Sequence, residues 1–147
     1  MAGEYNGAQA VIRKTNAFAT YLPCSTHSLN LAGVHATETS SLLKNYFGNV
    51  QKLNTFFSSS PGRWKILKTE AQISLHSISK TRWSARLDAI RPLAKKPKEI
   101  VLALNTVKNQ LDLPSELYND VLALIKWMKS FEFVVNTTFW ITSITSN

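Results

Sequence analysis

Apolar residues recur at spacings of three and four along most of this chain. Leu42, Leu43, Tyr46, Phe47, Val50, Leu53, Phe56 and Phe57 make one broad stripe, the mark of a helix that buries one side. Ser58-Ser59-Ser60-Pro61-Gly62 interrupts it, and Ser60 followed by Pro61 is a cap and first-turn pair for a helix carrying Trp64, Ile66 and Leu67. Ile73 to Lys80 fits neither the helical nor the strand period and reads as loop or frayed helix. From Arg82 a helix with Ala85, Leu87, Ala89 and Ile90 runs towards Pro92, which blocks or kinks it. Pro97 opens another, with Ile100, Val101, Leu104, Val107 and Leu111 on its inner side. Asp112-Leu113-Pro114-Ser115 is a turn whose Ser115 can cap one last helix, with Leu117, Val121, Leu122, Leu124, Ile125, Met128, Phe131 and Val134 in register. From Asn136 to Ile144 the β-branched and aromatic content rises.

The first forty residues are patterned less clearly. Gly7 to Arg13 has helix-compatible spacing, with Asn16 as a stop. Ala17-Phe18-Ala19-Thr20-Tyr21-Leu22 alternates bulky residues up to Pro23 and predicts a short strand. Ser25 or Thr26 can cap a helix through Leu29, Ala32 and Ala36. The expected fold is therefore mainly α with one orphan strand. A lone strand leaves both rows of backbone polar groups unpaired, so it makes sense as a member of a sheet encoded upstream.

Charge changes the picture. The chain of 147 residues carries a net charge of +8. Ten basic residues lie between Arg63 and Lys98 (Arg63, Lys65, Lys68, Lys80, Arg82, Arg86, Arg91, Lys95, Lys96 and Lys98) against two acids, Glu70 and Asp88. The remainder has seven of each sign, so this segment holds the whole excess. Such a segment is either a footprint for a polyanion, nucleic acid first, or a solvated face whose lysine stems cover apolar surface. The single cysteine excludes an internal disulfide and fits a reducing compartment. No apolar run is long enough to span a membrane, and Lys95-Lys96-Pro97-Lys98 is a short basic cluster of the nuclear-import type. A nuclear or otherwise intracellular location is expected, with no membrane partner.

Two short strings carry candidate chemistry. Cys24-x2-His27 has the spacing of half a zinc site, but the other histidines are His35 and His76. Positions 27 and 35 lie about 80° apart around a helix, so they share a side only loosely. A buried thiol beside a helix-start imidazole is the reading the string favours. Arg82-Trp83 sets a flat π-face beside a guanidinium, which suits an unstacked base and its phosphate, although a Trp at a helix start also serves as core.

Taken together, Pro23-Cys24-Ser25-Thr26-His27-Ser28-Leu29-Asn30-Leu31 and Lys80-Thr81-Arg82-Trp83-Ser84-Ala85-Arg86 resemble the hAT superfamily of DNA transposases. Gly7 to Ala10, Val50 to Ser60 and Arg63 to Leu67 also read like its domesticated, zinc finger MYM-type protein 1-like group. The resemblance implies that residues 1–26 are the tail of a ribonuclease H-like core and residues 27–147 the start of its helical insertion. It implies that His27 helps organise bound DNA and that Trp83, beside Arg82, stabilises a flipped base. Met1 matches the Met of a stretch that contains the family's catalytic Asp, so the chain is expected to begin just past that carboxylate and to be catalytically inactive, with no cofactor.

Three functions compete at this point. The first is an inactive transposase-derived fragment with weak residual DNA binding through Arg82, Trp83, Arg86, Lys95, Lys96, Lys98 and His27. The second is a protein-interaction fragment whose apolar helices pack on another copy or on other chains. The third is a small enzyme using Cys24 or His27.

Overall fold

The computed structural model describes residues 7–20, 32, 35, 39–78, 83–110 and 112–145, with Trp83 and residues 143–145 described by their backbone alone. The described residues hold seven helices and no strand. These are α1 (Ala8–Thr15), α2 (Ser41–Ser58), α3 (Pro61–Ala71), α4 (Trp83–Lys95), α5 (Pro97–Gln110), α6 (Ser115–Met128) and α7 (Phe131–Thr145). The mainly α expectation holds.

α2 is the wall on which the others assemble. Its stripe buries Tyr46, Phe47, Val50, Leu53, Phe56 and Phe57, and it touches α3, α4, α6 and α7. α3 packs on α5, and α4 packs on α7. Leu67, Ile90, Leu93, Ile100, Leu104, Val121 and Leu124 complete one continuous core. The apolar period therefore does what amphipathic helices require, placing each stripe against another.

Local chemistry sets several boundaries as expected. Ser40 caps α2 by accepting from the Leu43 amide, and Ser60 caps α3 by accepting from the Arg63 amide, with Pro61 in the first turn. α3 ends on Gln72, a non-glycine residue in the left-handed region at φ 54°, whose amide donates to the Lys68 carbonyl. Residues 72–78 form an irregular connection, as the missing period predicted.

Five expectations are corrected. The strand expected from Ala17 is a turn at Ala17-Phe18 followed by irregular backbone to Thr20, since no described strand is there to pair with it, while Tyr21 and Leu22 lie outside the described residues. Pro92 does not stop α4, which continues to Lys95 with the proline buried inside it. Ser115 is the first residue of α6 and makes no capping bond, Pro114 preceding it. The long last helix is two, because Ser130 intervenes: its Oγ donates to the Trp127 carbonyl at 2.7 Å and accepts from the Phe133 amide at 3.2 Å. The β-branched stretch after Val134 is helical in α7, where packing on α2 and α4 overrides propensity. Leu42, Phe131 and Val134, expected in the stripes, stand exposed.

An aromatic seam locks the ends of the bundle together. Tyr46 lies 5.4 Å from Phe47 and 5.8 Å from Trp127, Phe47 lies 5.2 Å from Trp140, and Trp127 lies 5.0 Å from Phe133. These are the separations at which edge-on rings attract. The fully buried Tyr46 hydroxyl shares a hydrogen bond of 2.8 Å with the Thr137 hydroxyl. Burial raises its pKa from 10.0 to about 12, the hydrogen bond pulling slightly the other way.

Removing that hydroxyl in Tyr46→Phe leaves Thr137 buried without its partner and should cost about 1–3 kcal/mol near neutral pH. Because the phenol is held neutral in the folded state, its contribution is complete below the unfolded pKa near 10 and declines as pH rises towards 12. Urea melts should show the wild type losing roughly 2–3 kcal/mol more than Tyr46→Phe over that interval. Parallel losses in the two proteins would show that Tyr46 does not titrate in this way.

Candidate nucleic-acid interface

Of the eight cations of the basic segment among the described residues, two are inside. Arg86, a candidate DNA contact in the sequence, is 6% exposed and its guanidinium carbon sits 4.6 Å from the centre of the Phe47 ring. Arg63 is 8% exposed, 4.5 Å from the Phe56 ring centre. A guanidinium accepts this placement because it is weakly hydrated and stacks on aromatic faces. Arg86 is thus corrected from a surface contact to a packing residue: residue 86 falls one turn after residue 83 on the side of α4 that faces α2.

Three more cations are engaged. The Lys96 ammonium donates to the Ala71 carbonyl at 2.9 Å, closing the C-terminal end of α3. Lys68 donates to the Ser74 hydroxyl. Arg91 pairs with Asp88 at 3.0 Å on the surface. Lys65, Lys95 and Lys98 are exposed. Lys80 and Arg82 lie outside the described residues, as do Cys24 and His27, and the Trp83 side chain is likewise not described. Trp83 opens α4, where its backbone places it at the first turn.

One groove gathers part of this charge. A cavity of about 450 Å³ between the 72–78 connection and α4 is lined by Ile73, Ser74, His76, Asp88, Arg91, Pro92 and Lys95. Lys95 sits at its rim one residue before the Lys96 anchor and three before Lys98 at the start of α5. The floor is apolar and the rim combines an exposed lysine, an exposed histidine and an Arg–Asp pair. The exposed Lys95 ammonium is a donor of the kind that charge-assisted bonds to anionic oxygens use. His76 and Arg91 were not singled out from the sequence as contacts, because the groove forms between a connection without periodicity and a helix, and no spacing rule joins the two.

Among the described residues no group of three or more His, Cys, Asp and Glu lies together in a way that could hold a metal ion. Among the described residues no helix is long and apolar enough to cross a membrane. No family model, curated protein or solved structure matches the chain.

If Arg86 is a packing residue, Arg86→Ala should lower stability by about 1–3 kcal/mol through the lost ring contact and stem burial. Under folding conditions it should leave the salt dependence of any DNA binding as in the wild type. A flattened salt slope with unchanged stability would return Arg86 to the surface role.

Proposed function

We propose that this chain is a transposase-derived helical DNA-binding piece of the hAT type, without strand-transfer chemistry of its own, that works in the nucleus. The observation that carries the proposal is the groove between the 72–78 connection and α4, which sets Lys95 beside His76 and Arg91 in a segment that holds the whole net charge. The two sequence strings that resemble the superfamily support it, with Trp83 at the first turn of the same helix. Ribonuclease H-like strand transfer relies on carboxylates that hold two metal ions. Asp88 and Asp120 are instead engaged with Arg91 and Lys52, and Glu70 faces the Thr106 hydroxyl at 3.5 Å.

A second reading, a protein-interaction module, draws support from α7. Phe131, Val134, Val135 and Phe139 are all exposed on a helix whose only charged residue is Glu132.

DNA binding should be weak, indifferent to sequence, steeply salt-dependent and stronger on single strands than on duplex. In fluorescence anisotropy across a salt series, Lys95→Ala/Lys98→Ala should weaken both ligands and reduce the salt slope by about one per lysine. Trp83→Ala should reduce the single-strand preference by roughly 1–3 kcal/mol while circular dichroism stays unchanged. Absence of binding to either DNA at low salt would overturn this reading and leave the α7 surface as the functional feature.

Incubation with labelled hairpin-ended DNA and Mn2+ should give no cleavage or joining. Activity that vanishes on substituting an acidic residue of this chain would refute the inactive assignment.

A further inference from the structure

A second groove, of about 450 Å³, opens where α2, the turn into α3 and α6 meet. Its polar lining includes Gln51, Lys52, Thr55, Ser59, Arg63 and Asp120. The Arg63 Nη2 donates to the Ser59 hydroxyl at 3.0 Å, but Nη1 is buried with no hydrogen-bond partner and no carboxylate reaches the guanidinium among the described residues. Burial lowers the Arg63 pKa, as expected for a cation with no counter-charge beside it. A buried charge is normally paired, and an unpartnered donor on a charged group is among the more costly features of an interior.

The groove has an imbalance that a ligand would correct. It contains two cations, Lys52 and Arg63, and one carboxylate, Asp120, which Lys52 holds at 2.7 Å. One positive charge therefore remains on Arg63. The start of α3 lies at the same place: Ser60 caps it and Arg63 is its third residue, so the positive end of the helix dipole adds to the guanidinium. Thr55 and Ser59 supply hydroxyls, and Phe56 and Leu117 supply apolar walls wide enough for an organic group.

We propose that this groove binds a small phosphate or phosphomonoester, with Arg63 as its anchoring cation and Thr55 as a further donor, while Ser59, whose hydroxyl donates to the Phe56 carbonyl at 3.3 Å, positions the guanidinium. The site stands apart from the DNA reading, since none of its lining residues lines the groove that contains Lys95. Asp120 is its internal competitor: it occupies Lys52 in the absence of ligand, and removing its charge frees a second cation for the phosphate.

The test is isothermal titration of the full chain with inorganic phosphate and with phenyl phosphate, against chloride at equal ionic strength. The wild type should bind saturably, with phenyl phosphate tighter if the ligand is a monoester and inorganic phosphate equal or tighter if it is the free ion. Arg63→Met, which keeps an unbranched stem on Phe56, should lose at least about tenfold in affinity. Asp120→Asn should gain several-fold, and Lys95→Ala/Lys98→Ala should match the wild type. No saturable binding by the wild type overturns the proposal, as does an Asp120→Asn affinity equal to or below the wild-type value. The Asp120→Asn arm decides the matter even if Arg63→Met fails to fold.

Discussion

The bundle from Ser41 to Thr145 is built on one face of α2, and at the centre of that face the Tyr46 phenol is closed off from water against Thr137 of α7. The two residues are 91 positions apart, so their contact forms only when the intervening helices have closed around it. A buried hydroxyl without a partner is costly, whereas a buried pair specifies one arrangement of the elements that contribute it. Phe47, Trp127, Phe133 and Trp140 surround the pair with edge-on rings, so the helix carrying the β-branched run is held against α2 at several points at once. This is why residues 136–144, with the composition of a strand, are helical.

The same face decides which cations reach solvent. Phe47 and Phe56 lie on it, and each receives a guanidinium, Arg86 from α4 and Arg63 from α3. A basic segment that looks uniform along the chain is therefore split by the fold into two packing arginines, Arg63 and Arg86, and exposed cations that include Lys65, Lys95, Lys98 and Arg91. The division follows side-chain chemistry: a planar, weakly hydrated guanidinium stacks on a ring, while an ammonium keeps its water and stays outside. Arg91 and Lys96 depart from that division: Arg91 pairs with Asp88 on the surface, and Lys96 satisfies a helix-end carbonyl and so connects α3 to the junction of α4 and α5.

Two grooves with different electrostatics result. One exposes Lys95, His76 and Arg91 over an apolar floor, a surface suited to an extended polyanion. The other sets one buried, incompletely bonded arginine beside hydroxyls and a helix start, a setting suited to a small anion. α1 takes part in neither: it buries no residue and touches none of the other six helices described, with Val11 and Ile12 turned outward.

Most helix positions were legible in the residues themselves. The α2 stripe, the Ser60-Pro61 start of α3, the aperiodic connection after it and the Pro97 start of α5 are local signals, each acting over a turn or two of chain. Net charge and its concentration before Lys98 were equally plain. The break at Ser130 was hidden because apolar spacing continues on both sides of it, and only the two hydrogen bonds of its hydroxyl show that the chain changes direction there. The left-handed end of α3 was hidden too, since Gln72 carries none of the usual signature of that conformation. The burial of Arg63 and Arg86, and the meeting of His76 with Arg91 and Lys95, belonged to the tertiary structure alone. Periodicity reports which side of a helix is apolar, but which ring lies opposite an arginine, and which loop lies beside a helix, depends on contacts between residues distant in sequence.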